Sequence, residues 1–297
     1  QEITVGSKLY PSTWPRVIHS SQVRAHAWTL RTLGLAARYS PDDDPLADYF
    51  ASVVHENLRY LNDLYPGNNS LGLIVRENIA FQYDTIGKNT GFAPWQHAFY
   101  TFSIGRLVEL GFKEALPLFD FLSTWYRGAL LDPSYCWVFA VNYTVGVRPS
   151  EHEPLFGSFG ELYEANVPAE TRRLECGSRE QANAIGKPFG AFNDFPDSPT
   201  SYQANQQPAV AMMATLDVVG GKAAWDLIST RTHRPKFDDY PNFAVIPRSP
   251  VPRACLVWWR RPTPGLVEPH VTFGRVDDPE KDVVVGCVLP FAQNTSL

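Results

Sequence analysis

The clearest helical signal in the chain is Pro94-Trp95-Gln96-His97-Ala98-Phe99-Tyr100, which continues into Ile104-Gly105-Arg106-Leu107-Val108-Glu109-Leu110. Proline suits the first turn of an α-helix, and glycine suits the position just after the last turn, where Gly111 follows Leu110. A further helical pattern then runs to about Ala129. The stretch therefore predicts two helices joined by a short turn, and we expect much of the chain to be built from such hairpins.

Apolar residues recur at helical spacing on both sides of this hairpin. The predicted helices cover residues 20–37, 46–61, 94–110, a fourth helix ending near 129, 135–147, 208–218 and 222–230, with a weaker helical signal at 156–166. Four aromatic residues lie near the starts of predicted helices, namely Trp28, Trp95, Tyr135 and Tyr202. We expect these four rings to converge around one water-accessible hollow.

The apolar pattern changes after Pro241. Short runs typical of β-strands follow at 243–246, 255–259, 271–273 and 283–288, separated by proline-rich joints. We therefore predict a mainly α-helical fold followed by a small antiparallel β region. The predicted divisions are an N-terminal extension at 1–19, a helical domain at 20–240 and a β-rich C-terminal segment at 241–297.

Composition excludes several classes of protein. The chain has 297 residues, of which 44% are hydrophobic and 19% charged, which excludes a disordered chain, a collagen or a coiled coil. A net charge of −5 provides no electrostatic footprint for nucleic acid, so we expect no nucleic-acid partner. No apolar run approaches the roughly 20 residues that cross a bilayer, so we expect no membrane span.

The cysteines and histidines have no metal-binding spacing. The four cysteines, Cys136, Cys176, Cys255 and Cys287, contain no CxxC pair, and either two disulfides or four buried thiols would be consistent with them. The seven histidines are scattered along the chain. We therefore predict neither a metal site nor a cofactor.

The first candidates for chemistry are His97 and Tyr100. They are three residues apart on one predicted helix, so they share a face near its N-terminus. A histidine and a tyrosine at such a position can accept and donate protons. The same pair is equally consistent with a buried histidine hydrogen-bonded inside a core, beside a tyrosine that packs as an ordinary amphipathic residue.

The candidates for substrate binding combine flat aromatic faces with amide and guanidinium groups. Rings can stack on sugars, amides can donate and accept hydrogen bonds from hydroxyl groups, and arginine can bind a carboxylate in a bidentate manner. These candidates are Trp28, Arg31, Trp95, Gln96, Asn142, Tyr143, Tyr202 and Asn205. Core packing, a salt bridge or a helix cap would explain each residue type as well.

The helical region resembles part of an (α/α) toroid of the kind found in polysaccharide lyases and some glycosidases. The resemblance rests on Pro94-Trp95-Gln96-His97 leading into 104–112 and then Glu114-Ala115, and on Tyr202-Gln203-Ala204-Asn205 leading into 220–225. It covers about residues 20–240, and the β-rich tail fits because such lyases often carry a β-sandwich after the toroid. A complete toroid has more helices than are predicted here, which implies an open toroid or further helices before Gln1.

The resemblance implies β-elimination at a uronic acid. On that reading His97 and Tyr100 would be the base and the acid, while Arg31 with Asn142 or Asn205 would neutralise the substrate carboxylate. The predicted function is therefore that of a carbohydrate-active protein acting on an acidic polysaccharide, in the first place as a lyase. The alternative is a non-catalytic helical scaffold or glycan-binding module.

The expected setting is a larger extracellular or virion-associated assembly. The chain begins with Gln1 and its first residues have neither the basic start nor the apolar stretch of a signal peptide. This start is typical of a processed product or a fragment of a larger protein. We expect an extracellular, periplasmic or virion-associated location, with a polysaccharide and other chains or domains as partners.

Overall fold

The computed structural model describes residues 7–9, 17–20, 23–74, 90–151, 153–186, 203–231 and 234–248. All of them precede the boundary after Arg248 at which the chain divides into two units. The predicted strands at 255–259, 271–273 and 283–288 lie outside the described residues, as does Tyr202.

The described residues are mainly helical, which confirms the predicted class. Four long helices come first, and shorter ones follow. The helices are α1 Val23–Tyr39, α2 Ala47–Leu64, α3 Pro94–Glu109, α4 Ala115–Leu131, α5 Phe159–Asn166, α6 Ala169–Arg172, α7 Arg179–Ala184, α8 Gln206–Thr215 and α9 Gly221–Ser229. Two 3₁₀ helices cover Trp137–Val141 and Gln203–Asn205.

Two short antiparallel strand pairs accompany the helices. Strand β1, Ser7–Leu9, pairs with β2, Ile18–Ser20, just before α1. Strand β3, Gly91–Phe92, pairs with β4, Val145–Gly146, so that Phe92 lies opposite Val145. The second pair connects the start of α3 to the loop that follows the first 3₁₀ helix.

The long helices and the last two form two rows. In the first row α3 contacts both α1 and α8, and in the second row α4 contacts both α2 and α9. Helices α1 and α3 run parallel, because Arg24 lies over the Trp95 ring at their N-terminal ends and Gly34 meets Leu107 near their C-terminal ends. Each first-row helix also contacts the second-row helix that follows it in the chain.

The core lies between and around these rows, and α3 is its centre. Most of its residues are buried, and four of its five partly exposed residues, Phe99, Phe102, Arg106 and Glu109, lie along one side of the helix. Two glycines permit the closest approaches. A Cβ atom on Gly105 would lie 2.2 Å from Met212 of α8, and one on Gly128 of α4 would lie 1.8 Å from the Phe159 ring. These positions accept only glycine without a shift of their neighbours.

The helix predicted at 135–147 is wrong. Only Trp137–Val141 is helical there, as a 3₁₀ turn, and β4 follows. Cys136 forms a disulfide with Cys176, with 5.5 Å between their Cα atoms, so the free-thiol alternative is also wrong for these two residues. Pairing with the distant strand β3 and a disulfide bond fix this segment, and local apolar spacing predicts neither.

The strand predicted at 243–246 is wrong as well. These residues form a turn and irregular backbone. The side-chain amide of Gln207 in α8 donates to the backbone carbonyl of Val245 at 3.1 Å and that of Pro235 at 3.4 Å. A helix side chain, in place of a neighbouring strand, therefore satisfies these backbone groups. Among the described residues, no helix is both long enough and apolar enough to cross a bilayer.

Candidate functional site

Four aromatic residues meet where α1 and α3 begin. Trp28 of α1 contacts Phe99 of α3 edge-on, with 5.4 Å between the ring centroids. Phe99 lies 6.5 Å from Trp95, and Trp95 stacks on Tyr143 at 5.9 Å with 20° between the ring planes. We call Trp28, Trp95, Phe99 and Tyr143 the aromatic surface. Three of the predicted binding residues are therefore brought together.

Side chains four residues apart on each helix build this surface. Trp95 and Phe99 lie one turn apart on α3, and Arg24 and Trp28 lie one turn apart on α1. The side-chain oxygen of Gln96 accepts a hydrogen bond from the backbone N–H of Arg24 at 3.1 Å, which aligns the two helix starts. Gln96 is only 3% exposed. The buried Gln96 side chain therefore positions the two helices, and its predicted part in substrate binding stays a prediction.

A guanidinium group lies among the rings. The central carbon of the Arg24 guanidinium is 5.3 Å from the Trp95 ring centroid and 6.0 Å from that of Trp28. Both distances are in the range of cation–π attraction. Arg24 was not among the predicted residues, although its position one turn before Trp28 was a signal for it.

The aromatic surface is partly open to solvent. Tyr143 is 37% exposed, while Trp28 and Phe99 are half-buried. Trp95 is 9% exposed and is the most buried of the four rings. A cavity beneath Trp95, bounded by Ala98 and Gln206, has room for about one water molecule. A ligand would therefore lie on the rings and not beneath them.

His97 points into the core. It is 1% exposed, and its Nε2–H donates to the carbonyl oxygen of Leu122 at 3.0 Å. The rings of Phe92 and Tyr126 lie 5.2 and 5.8 Å away. Burial lowers the pKa of His97 to about 4, and the hydrogen bond to Leu122 opposes this shift only in part. His97 is therefore neutral at pH 7.

Tyr100 is also a core residue. It is fully buried, and its hydroxyl is 3.0 Å from the Nδ1 atom of His26 in α1. Burial is the main reason why the pKa of Tyr100 lies well above its usual value. Catalytic groups must touch the substrate, and neither His97 nor Tyr100 reaches the surface. The roles of base and acid that the resemblance implied for this pair stay a prediction, which these buried positions do not favour.

The other predicted site residues are dispersed. Asn142 is partly exposed beside Tyr143, whereas Asn205 is 5% exposed at the start of α8. Arg31 lies one turn beyond Trp28 on α1 and faces Arg106. Tyr135 is buried against Trp125 and Tyr163, so it does not join the aromatic surface. Of the four rings expected to converge, Trp28 and Trp95 share a neighbour, Tyr135 lies elsewhere and Tyr202 is outside the described residues.

Comparison of the chain with family models, with curated protein sequences and with solved structures finds no match. Within the described ranges no three side chains of histidine, cysteine, aspartate or glutamate come close enough to hold a metal ion. At the aromatic surface the described residues present ring faces, the Arg24 guanidinium and the Asn142 amide. Such groups bind ligands through stacking, charge and hydrogen bonds.

Proposed function

We propose that the helical body binds an acidic polysaccharide at the aromatic surface, as a glycan-binding module. The observation that carries the proposal is the meeting of Trp28, Trp95 and Tyr143 with the Arg24 guanidinium on a partly exposed surface. A sugar ring presents a C–H face to an aromatic ring, and its carboxylate is attracted to a guanidinium. Asn142 offers an amide to the hydroxyl groups.

Binding is favoured over cleavage because of where the proton-transfer residues lie. Elimination at a uronic acid needs a base and an acid within reach of the substrate. His97 and Tyr100 are enclosed by the core, and the pKa shift of each opposes proton exchange near neutral pH. The proposal therefore assigns glycan recognition to the aromatic surface and no catalytic step to these two residues.

We also propose that the two helix rows are part of an (α/α) toroid. Three hairpins support this arrangement: α1 with α2, α3 with α4, and α8 with α9. The first members of the hairpins are neighbours, and so are the second members, as a ring of hairpins requires. The Cys136–Cys176 disulfide supports an oxidising location outside the cytoplasm, in the extracellular space or the periplasm.

Isothermal titration calorimetry with oligosaccharides of defined uronic-acid content tests the proposal. We expect Trp28→Ala to weaken binding about tenfold, which corresponds to about 1.4 kcal/mol. Tyr39→Ala is the matched control, because Tyr39 ends the same helix and is 70% exposed. Equal affinities of the two variants, or no binding of any uronic-acid oligosaccharide by the unmodified chain, would contradict the proposal. Ultraviolet detection of unsaturated products in the same samples monitors cleavage.

A further inference from the structure

A small cavity lies inside the protein where four elements meet. Its walls come from α3, α4, the 3₁₀ helix Trp137–Val141 and the start of α8, and every residue that lines it is buried. The centre of a water molecule can occupy about 10 Å³ of this cavity. That volume corresponds to about one water molecule, so a larger ligand does not fit.

Gln206, the first residue of α8, lines this cavity. It is 3% exposed, and its Oε1 atom accepts a hydrogen bond from the Arg231 guanidinium at 3.2 Å. Because a guanidinium only donates, this bond fixes which end of the amide faces Arg231. The Nε2 group at the other end is buried and has no hydrogen-bond acceptor among the described residues. Buried donors in folded proteins almost always have an acceptor, so Gln206 has the capacity for one more partner.

Tyr126 of α4 lines the same cavity. It is 1% exposed, and its hydroxyl makes no hydrogen bond of normal geometry within the described ranges. Burial raises the pKa of Tyr126 above its usual range, so the phenol keeps its proton at neutral pH. Thr101 opposes this shift in part, but the Thr101 hydroxyl donates to the carbonyl oxygen of His97 at 2.9 Å. The phenol oxygen can therefore still accept a hydrogen bond.

We propose that this cavity binds one water molecule, which bridges Gln206 and Tyr126. The water oxygen accepts from the Nε2–H of Gln206, and a water hydrogen is donated to the phenol oxygen of Tyr126. Water both accepts and donates, whereas an ammonium ion of similar size only donates and cannot pair with this end of Gln206. A buried water needs at least two polar partners, and these two side chains supply them from different helices.

The bridging water completes a chain of hydrogen bonds through the core. Arg231, which is 6% exposed, donates to Gln206, Gln206 donates to the water and the water donates to Tyr126. Hydrogen bonds that follow one another in this way polarise and strengthen each other. Arg231 follows α9, so the chain connects α4 with α8 and with the segment after α9. This inference is independent of the proposed glycan binding.

A crystal structure that resolves ordered water tests the site directly. We expect one water oxygen within about 3.2 Å of both the Nε2 atom of Gln206 and the phenol oxygen of Tyr126. The lack of a water peak between these two atoms, or a direct hydrogen bond from Gln206 to Tyr126, would overturn the proposal.

Thermal unfolding of Tyr126→Phe tests the bridge in solution, because the sign of the effect depends on the water. Loss of a hydroxyl that bonds to a water should lower the thermal midpoint by about 2–4 °C. Loss of a buried hydroxyl without a partner should leave the midpoint unchanged or raise it.

Ser103→Ala is the matched control. Ser103 of α3 is fully buried and does not line the cavity, and its hydroxyl has no hydrogen-bond partner in the part of the chain that the structure describes. We expect Tyr126→Phe to lower the midpoint and Ser103→Ala to leave it unchanged or higher. An unchanged or higher midpoint for Tyr126→Phe, or equal falls for both variants, would overturn the bridging water.

Discussion

Aromatic rings gather on two sides of α3, and the two groups differ in what accompanies the rings. In the buried group, which we call the Trp125 cluster, Trp125 of α4 lies 5.0 Å from Phe92, 5.9 Å from Phe159 and 6.5 Å from His97. All of these side chains are less than 10% exposed. In the aromatic surface the rings surround Arg24, and Tyr143 is 37% exposed.

Aromatic content does not by itself define a binding site. The Trp125 cluster contains a histidine, a residue type that suggested chemistry, but this histidine donates to a backbone carbonyl inside the core. The aromatic surface has fewer candidates for proton transfer, but solvent reaches it and a guanidinium group lies over two of its rings. Exposure and charge therefore separate the two groups.

The largest expected difference between the two groups is in stability. Trp125 is fully buried, so Trp125→Ala should lower the free energy of unfolding by about 3–5 kcal/mol. Trp28 is half-buried, so Trp28→Ala should cost clearly less. Urea unfolding followed by circular dichroism measures both values. Similar losses for the two variants would contradict the assignment of Trp125 to the core and of Trp28 to the surface.

The next effect is a dependence of stability on pH that arises in the Trp125 cluster. The pKa of His97 falls from its usual 6.5 to about 4 in the folded chain. Between pH 4 and 6.5 the unfolded chain therefore binds more protons at His97 than the folded chain does. The contribution of His97 to the free energy of unfolding is fully present above pH 6.5 and is lost as pH falls toward 4. The contribution of His97 amounts to about 3 kcal/mol.

Urea unfolding of the unmodified chain and of His97→Gln at several pH values isolates this contribution. Glutamine can still donate to the Leu122 carbonyl but does not titrate. We expect the unmodified chain to lose more stability than the variant between pH 6.5 and 4. The same loss in both proteins would show that His97 titrates normally and is accessible to solvent.

A smaller effect is expected at the exposed edge of the aromatic surface. Tyr143→Ala removes the ring that stacks on Trp95, so glycan affinity should fall about fivefold, or about 1 kcal/mol. Stability should change by less than about 1 kcal/mol, because the residue is exposed in a loop. Calorimetry and urea unfolding of the same sample give the two values. A loss confined to stability would assign Tyr143 to packing.

The smallest effect is expected for Arg24→Gln. This change removes the guanidinium that would attract the glycan carboxylate, and a solvent-accessible ion pair contributes up to about 1 kcal/mol, so affinity for an acidic glycan should fall about threefold. The backbone N–H of Arg24 can still donate to Gln96, so the helix starts should stay aligned. Arg38→Gln serves as the control on the same helix, and an equal effect of the two changes would reject a specific role for Arg24.

Local sequence patterns predicted the long helices but did not predict which side chains meet at the aromatic surface. The helix predicted at 94–110 matches α3, and Gly111 follows it with a φ of +97°, a backbone conformation that favours glycine. The predicted helix at 20–37 matches α1 with small shifts at both ends. Helical spacing and end signals act over a few residues, so one sequence reveals them.

The orientation of side chains on α3 depended on long-range packing. Because most of this helix is buried, residue spacing alone could not show that His97 faces α4 while Trp95 belongs to the aromatic surface. The disulfide between Cys136 and Cys176 joins residues 40 positions apart, and Cys136 lies in a segment that local spacing predicted to be a helix. Arg24 was not predicted because the Trp95 ring that its guanidinium contacts lies 71 positions later in the chain.

A glycan titration followed by nuclear magnetic resonance distinguishes binding at the aromatic surface from binding elsewhere, because it observes both aromatic groups in one sample. The chain has eight tryptophans, whose indole N–H signals can be assigned by single substitutions. On addition of a uronic-acid oligosaccharide we predict saturable shifts of the Trp28 and Trp95 signals and an unchanged Trp125 signal. Unchanged Trp28 and Trp95 signals at saturating ligand, or a shift centred on Trp125, would contradict the claim that the aromatic surface binds glycan.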